Sequence, residues 1–102
     1  MRVSSMNQNR NQALPDGITR PELLAAASKF DKLGLPAGYK PSHSYDVEID
    51  GTLYPPPAIV ALAAEMLTGA LPEPGFRAGK GTKCFQILED AGFSILKKTT
   101  DD

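Results

Sequence analysis

The sequence predicts an α+β domain in which three helices pack on a small, mostly antiparallel sheet of three strands, in the order α-β-β-α-α-β. Apolar residues recur at helical spacing in three stretches, and in another stretch they alternate with polar residues. An Asp50-Gly51 pair then joins two extended stretches, as in a β-hairpin. With 102 residues, 41% of them apolar, the chain is long enough for one domain with a modest core.

The first helix is predicted over residues 20–33. Thr19 and Glu22 are spaced as in a capping box, and Pro21 lies in the first turn, where its missing N–H group costs nothing. Gly34 is expected to end the helix. The residues predicted to form its buried stripe recur at helical spacing: Leu23, Leu24, Ala27, Phe30 and Leu33.

A hairpin and a central helix are predicted next. Residues 45–49 alternate between apolar and acidic side chains, and residues 52–54 return as a second strand. Prolines at positions 55, 56 and 57 end that strand, because proline has no N–H group to donate. The second helix, predicted over 57–68, is apolar nearly all round, so we expect it to be the buried one.

A third helix and a last strand are predicted over 83–91 and 93–97. The polar stretch 1–17, rich in Asn, Gln and Ser, is predicted to be a disordered or loosely attached tail. Residues 18–98 are expected to form the single domain, and residues 99–102 to be a frayed end.

Composition argues against several classes of function. A net charge of −1 and a pI of about 5.8 provide no overall positive field for nucleic acid or anionic membrane, so anions must be bound by a local patch. Cys84 is the one cysteine and His43 the one histidine, so we predict no metal, no cofactor and no catalytic residues. The polar N-terminus and the lack of a long apolar run predict a cytoplasmic, non-membrane protein.

The segment just before the third helix is the strongest candidate for a binding site. Its glycines let the backbone approach an anion closely, and the first N–H groups of a helix lack partners and carry about half a positive charge. These conditions suit a DNA phosphate. The predicted nucleic-acid-binding residues are Arg77, Gly79, Lys80, Gly81, Thr82 and Lys83.

A structural interpretation of the same segment stays open. In it Thr82 is an N-cap, the glycines shape a turn and the lysines are solvated. Arg20, Lys97 and Lys98 are weaker candidates for phosphate contacts.

Two other features have simple structural interpretations. The carboxylates of Asp46, Glu48 and Asp50 are expected to form a solvated strand face, neutralised by Lys97 or Lys98 on a neighbouring strand, and this face would repel phosphate. Cys84 is expected to be a buried packing residue, and His43 is expected to be an ordinary surface residue.

The order of several short motifs resembles a known family. The motifs are Ile18-Thr19-Arg20, Phe30-Asp31-x-Leu33-Gly34, Ser44-Tyr45-Asp46-Val47, Gly51-x-Leu53-Tyr54-Pro55-Pro56-x-Ala58-Ile59, Thr68-Gly69, Phe76-x-x-Gly79-x-Gly81-Thr82 and Leu88-Glu89-x-x-Gly92-Phe93. From about residue 18 to 96 the chain resembles the N-terminal head domain of modification-dependent McrA-type HNH restriction endonucleases. In those proteins the head lies ahead of DNA-reading domains and the nuclease. This chain has Pro57 where the family usually has lysine, and it has no HNH motif, so cleavage activity is not implied.

Two functions are therefore expected from the sequence. The first is a non-catalytic, DNA-associated module that contacts the backbone of double-stranded DNA weakly and in a salt-dependent way, alone or with a nuclease partner. The second is a protein–protein interaction domain that docks on a nuclease or host protein without touching nucleic acid. Its surface is expected near residues 55–57 and 71–76, where apolar residues and prolines cluster.

Overall fold

A computed structural model of the chain describes residues 14–40, 44–73, 79 and 81–97. These ranges contain three helices and three strands in the predicted order, so the α+β fold is confirmed. The elements are α1 Arg20–Leu33, β1 Tyr45–Ile49, β2 Thr52–Tyr54, α2 Pro56–Thr68, α3 Lys83–Asp90 and β3 Ser94–Lys97. Each boundary lies within one residue of its prediction.

The sheet is antiparallel throughout, with the strand order β2-β1-β3. A two-residue turn joins β1 to β2, and both of its residues have positive φ, 54° at Asp50 and 83° at Gly51. Asp and Gly are among the residues that tolerate this conformation. The turn fixes the register, so that Ile49 lies opposite Thr52 and Glu48 opposite Leu53.

Helix α1 begins with the predicted capping box. The N–H group of Thr19 donates to Glu22 Oε1 at 2.8 Å, and the Thr19 hydroxyl donates to the same carboxylate. These hydrogen bonds lower the pKa of Glu22. The buried stripe of α1 is narrower than predicted, because Leu33 is 70% exposed. At about 100° per residue, Leu33 lies roughly 80° around the helix from Leu23, at the rim of the stripe.

The core lies between the sheet and the helices, with α2 at its centre. Every residue of α2 from Ala58 to Ala64 is buried, as its apolar sequence predicts. Helix α1 packs along α2, and α2 in turn contacts α3 and β1. The largest fully buried side chains are Leu23, Ile49, Ile59, Leu88, Val47, Val60, Pro56 and Cys84.

The chain ahead of α1 is part of the packed domain. Leu14 and Ile18 belong to the hydrophobic core, with 5% and 8% of their surface exposed. The packed domain thus begins at or before Leu14, inside the stretch predicted to be a loose tail, because Leu14 supplies an apolar anchor. The remainder of that stretch, 1–13, and the predicted frayed end, 99–102, lie outside the described residues.

Among the described residues, the helices lie on one side of the sheet. In β1 the side chains of Val47 and Ile49 are buried against the helices, and that of Glu48 between them is exposed. Since the opposite residue of an antiparallel pair shares the same side, Leu53 is exposed with Glu48. The described residues include no helix of the length and apolarity that a bilayer span requires.

Candidate functional site

The turn before α3 is organised by the Thr82 side chain. Its hydroxyl donates to the Gly79 carbonyl at 2.7 Å and accepts from the Gly79 N–H group at 3.0 Å. It also caps α3 by accepting from the N–H group of Phe85 at 3.5 Å. The N–H group of Thr82 donates to the same Gly79 carbonyl, at 3.2 Å. The N–H groups of Gly79, Thr82 and Phe85 are therefore already hydrogen bonded within the domain.

Lys83, the first residue of α3, is held by the chain ahead of α1. Its ammonium group donates to the Asp16 carboxylate at 2.8 Å and to the Leu14 carbonyl at 3.1 Å. The hydrogen bond and charge of Lys83 lower the pKa of Asp16. Because the Asp16 side chain is 96% exposed, water competes for this ion pair and its contribution to stability is small.

The structure describes only part of the predicted phosphate site. Arg77 and Lys80 lie outside the described residues, and the other four predicted residues form the capped turn and its paired lysine. Within the described chain, no hydrogen-bond acceptor is found for the N–H groups of Lys83 and Cys84, the first two of the helix. Phosphate binding at this turn stays a prediction.

Arg20, a weaker candidate, has a structural role. Its guanidinium group lies 4.5 Å from the centre of the Phe93 ring, and it donates to the Ala91 carbonyl at 2.8 Å. These contacts join the start of α1 to the end of α3. The exposed Arg20 side chain therefore lies against the surface of its own domain.

Contrary to the prediction, Lys97 does not neutralise the acidic strand. It lies opposite Tyr45, and Asp46 lies opposite Leu96. Because side chains alternate along a strand and opposite residues share a side, Lys97 and the Asp46 carboxylate lie on different sides of the sheet. The other candidate, Lys98, lies outside the described residues.

The lone cysteine is a packing residue, as predicted. Cys84 is fully buried, and burial raises the pKa of its thiol to about 12, so the reactive thiolate is suppressed. His43 lies outside the described residues. Within the part of the chain that is described, no three His, Cys, Asp or Glu side chains come together as a metal site would require.

The side of the sheet away from the helices, here called the outer face, carries two exposed leucines. Leu53 on β2 is 52% exposed, and Leu96 on β3 is 42% exposed. Between them lie Glu48 and Asp46 of β1, which are opposite Leu53 and Leu96 respectively. The Glu48 carboxylate forms no hydrogen bond or ion pair with any described residue.

The acidic strand is evident from the sequence pattern, but the leucines that flank it were not predicted. The signal was present, because a two-residue turn at 50–51 requires residue 53 to lie opposite residue 48. With Glu48 facing solvent, Leu53 had to face solvent too.

A second surface feature is a crevice of about 380 Å³ between α1 and the β1–β2 hairpin. Buried Ala27, Ile49 and Tyr54 lie along its apolar part, together with half-buried Leu24. Its exposed polar residues are Ser28, Asp31, Asp50 and Thr52. The Tyr54 hydroxyl donates to both carboxylate oxygens of Asp31, at 2.9 and 3.1 Å.

The apolar stretches predicted to form a docking surface are used mainly in the domain's own packing. Pro56 is buried and Leu71 packs against the core. The Tyr39 hydroxyl donates to the Pro72 carbonyl at 2.6 Å, which fixes the chain that follows α2. Residues 74–76 lie outside the described chain.

Comparison with known families bears out the resemblance seen in the motif order. The family described as the ScoMcrA-like, N-terminal head domain matches residues 16–97, which is most of the chain. This chain belongs to that family. No curated protein and no solved structure matches it.

As a ScoMcrA-like head domain, the chain corresponds to the N-terminal part of restriction proteins and is distinct from their HNH catalytic domain. The match spans all three helices and all three strands, together with the Asp16–Lys83 ion pair. The full sequence has 12 acidic residues against 11 lysines and arginines, so the formal net charge of the chain is −1.

Proposed function

We propose that this head domain is a non-catalytic docking module of a DNA-directed restriction system, and that its outer face binds a basic protein surface. The observation that carries the proposal is the pair of exposed leucines, Leu53 and Leu96, on either side of the Glu48–Asp46 strand. The helices cover only the opposite side of the sheet. The outer face therefore combines exposed apolar area with acidic groups.

Charge favours a protein partner over nucleic acid at this face. The Glu48 carboxylate on β1 repels phosphate, and the described residues provide no basic side chain on the outer face of that strand or its neighbours. Leucine side chains gain free energy when a partner removes them from water, at about 25 cal/mol per Å² of apolar surface. A surface with lysine or arginine around apolar residues complements both properties.

Other proteins of a restriction system would carry such a basic surface. Proteins that act on DNA carry clustered lysine and arginine side chains, because they neutralise phosphates. The proposed partner is the cognate nuclease or its DNA-reading part, in the same chain or in a separate one. A module of this kind works in the cytoplasm, where the DNA is.

Zero-length carbodiimide coupling, which joins a carboxylate directly to a lysine, tests this proposal in the assembled restriction system. Mass spectrometry should find links from Glu48 to lysines of the nuclease. Glu89 is the matched control, because it is an exposed carboxylate on α3 without a partner among the described residues. Links from Glu89 but none from Glu48 would contradict docking through the outer face.

A second candidate function is weak contact with the DNA backbone at the start of α3. The observation that favours it is that the N–H groups of Lys83 and Cys84 have no acceptor in the described chain. The partner of Lys83 is the highly exposed Asp16, which a phosphate can replace. Such binding would be weak and would fall steeply with salt.

Titration of a labelled DNA duplex at low and moderate salt measures this contact. Lys83→Gln should reduce the slope of log affinity against log salt by about 1. Lys29→Gln, which removes a lysine that pairs with Glu65 at 3.1 Å, should leave the slope unchanged. No binding by the parent domain at low salt would rule this second function out.

A further inference from the structure

We infer that the crevice between α1 and the β1–β2 hairpin accepts an arginine side chain of a protein partner. The inference rests on the proposed docking function for the class of partner, but it concerns a different surface. The crevice opens on the helical side of the sheet, since Ile49, Thr52 and Tyr54 all face that side. The hairpin turn is common to the crevice and the outer face.

The shape and lining of the crevice suit a long side chain with a polar end. Its volume of about 380 Å³ is large enough for one amino-acid side chain with water around it. Ala27 and Ile49 are buried and Leu24 is half-buried, so they offer an apolar surface to methylene groups. The carboxylates of Asp31 and Asp50 lie at the exposed rim.

Both carboxylates lack a cation within the described chain. Asp31 accepts one hydroxyl, from Tyr54, and a carboxylate has about four acceptor positions. Asp50 forms no hydrogen bond or ion pair with a described residue. The nearest lysines along α1 do not supply one, because Lys29 pairs with Glu65 and Lys32 pairs with neither aspartate.

The acceptor groups are held in place before any partner arrives. The Tyr54 ring is buried and packs edge-on against Phe30, with ring centres 5.5 Å apart, and its hydroxyl fixes the Asp31 carboxylate. Burial, followed by the hydrogen bond to Asp31, raises the pKa of Tyr54, so the hydroxyl keeps its proton. The hairpin turn fixes the backbone of Asp50, from which its carboxylate extends. Preset acceptors reduce the entropy lost on binding.

Arginine fits these features better than lysine does. Its guanidinium group is planar and weakly hydrated, and it forms paired hydrogen bonds with a carboxylate. It therefore tolerates a half-buried crevice in which a strongly hydrated ammonium group would lose water. Nucleic acid is excluded, because two carboxylates at the rim repel phosphate.

NMR titration with short peptides tests the inference directly. Acetyl-Gly-Arg-Gly-amide should shift the amide signals of residues 24–31 and 49–52, with millimolar affinity. The same peptide with citrulline, which replaces the guanidinium group by a neutral urea of the same shape, should not. In Asp31→Asn/Asp50→Asn the affinity should fall by at least about fivefold. Asn is well accepted at position 50 because it tolerates positive φ before a glycine.

Glu89→Gln, which removes an exposed carboxylate from α3, is the matched control and should bind the arginine peptide like the parent. Equal shifts with the citrulline peptide, equal affinity for a lysine peptide, or an unchanged affinity in the double variant would each overturn the inference. None of these outcomes would contradict docking through the outer face, because that proposal is tested separately by carbodiimide coupling from Glu48. Conversely, loss of the Glu48 links would leave the peptide result standing.

Discussion

The turn before α3 and the outer face of the sheet differ in how far the domain satisfies its own groups. At the turn, the Thr82 hydroxyl bonds the Gly79 backbone and caps α3, and Lys83 is paired with Asp16. On the outer face, Leu53 and Leu96 remain exposed and Glu48 has no partner among the described residues. The turn, whose sequence resembles a phosphate site, thus has more of its polar groups bonded within the domain than the outer face has.

This difference is the reason why we propose the outer face, and not the turn, as the main binding surface. Glycines, a threonine and lysines before a helix are what a phosphate site needs, but they are also what an N-cap needs. The hydrogen bonds show that Thr82 caps α3, and phosphate contact at this turn stays a prediction. On the outer face, Leu53 and Leu96 are exposed beside Glu48. Their apolar surface is removed from water only when another molecule binds there.

The largest expected effect is on docking, in the double variant Leu53→Thr/Leu96→Thr. Binding to the cognate nuclease should weaken about tenfold, because the apolar centre of the proposed interface is lost while its charge is unchanged. The free energy of unfolding should change by no more than about 1 kcal/mol, since both leucines are exposed and threonine is favoured in strands.

Pull-down with the purified nuclease measures the binding, and urea unfolding measures the stability. Leu33→Thr is the matched control, because it changes a leucine that is 70% exposed at the end of α1. Equal loss of binding in both variants would mean that the outer face has no special role.

A smaller effect is expected from Thr82→Ala, which removes the cap of α3. The free energy of unfolding should fall by about 1 kcal/mol, which lowers the Tm of a domain of this size by about 4–8 °C. Thr82→Ser keeps the hydroxyl and should retain most of the stability. If Thr82→Ala left the Tm unchanged, the cap would not hold the turn together.

The smallest effect concerns pH. The Lys83 hydrogen bond lowers the pKa of Asp16 from 3.8, and the Thr19 hydrogen bonds lower that of Glu22 from 4.5. A carboxyl with a lowered folded-state pKa stabilises the fold above its unfolded pKa, and this stabilisation is lost as the pH falls through the folded value. Stability should therefore decrease below about pH 4.5.

Urea unfolding at pH 6 and pH 3 measures this decrease. In Asp16→Asn/Glu22→Gln the decrease should be smaller than in the parent. A double variant with the same pH dependence as the parent would contradict these assignments.

Local patterns predicted the elements well because each depends on nearby residues. The capping box at Thr19, the positive-φ pair at Asp50 and Gly51, and the apolar run of α2 each specify their own conformation. The family was also found from motif order. Neither inference requires knowledge of tertiary contacts.

The surfaces were harder to predict because they depend on tertiary contacts. Nothing in the local sequence pairs Lys83 with Asp16, which is 67 residues away, or places Arg20 on the ring of Phe93. The crevice requires the packing of α1 against the hairpin. The outer leucines are the exception, since strand register alone would have placed them.

The central claim is that the outer face binds the restriction machinery and that the turn before α3 mainly supports the fold. Its most direct test compares two charge reversals, Glu48→Arg and Lys83→Glu, for restriction of incoming DNA in cells that contain the cognate nuclease. We expect Glu48→Arg to lose restriction and Lys83→Glu to retain it. Loss of restriction in Lys83→Glu, with full activity in Glu48→Arg, would contradict the claim.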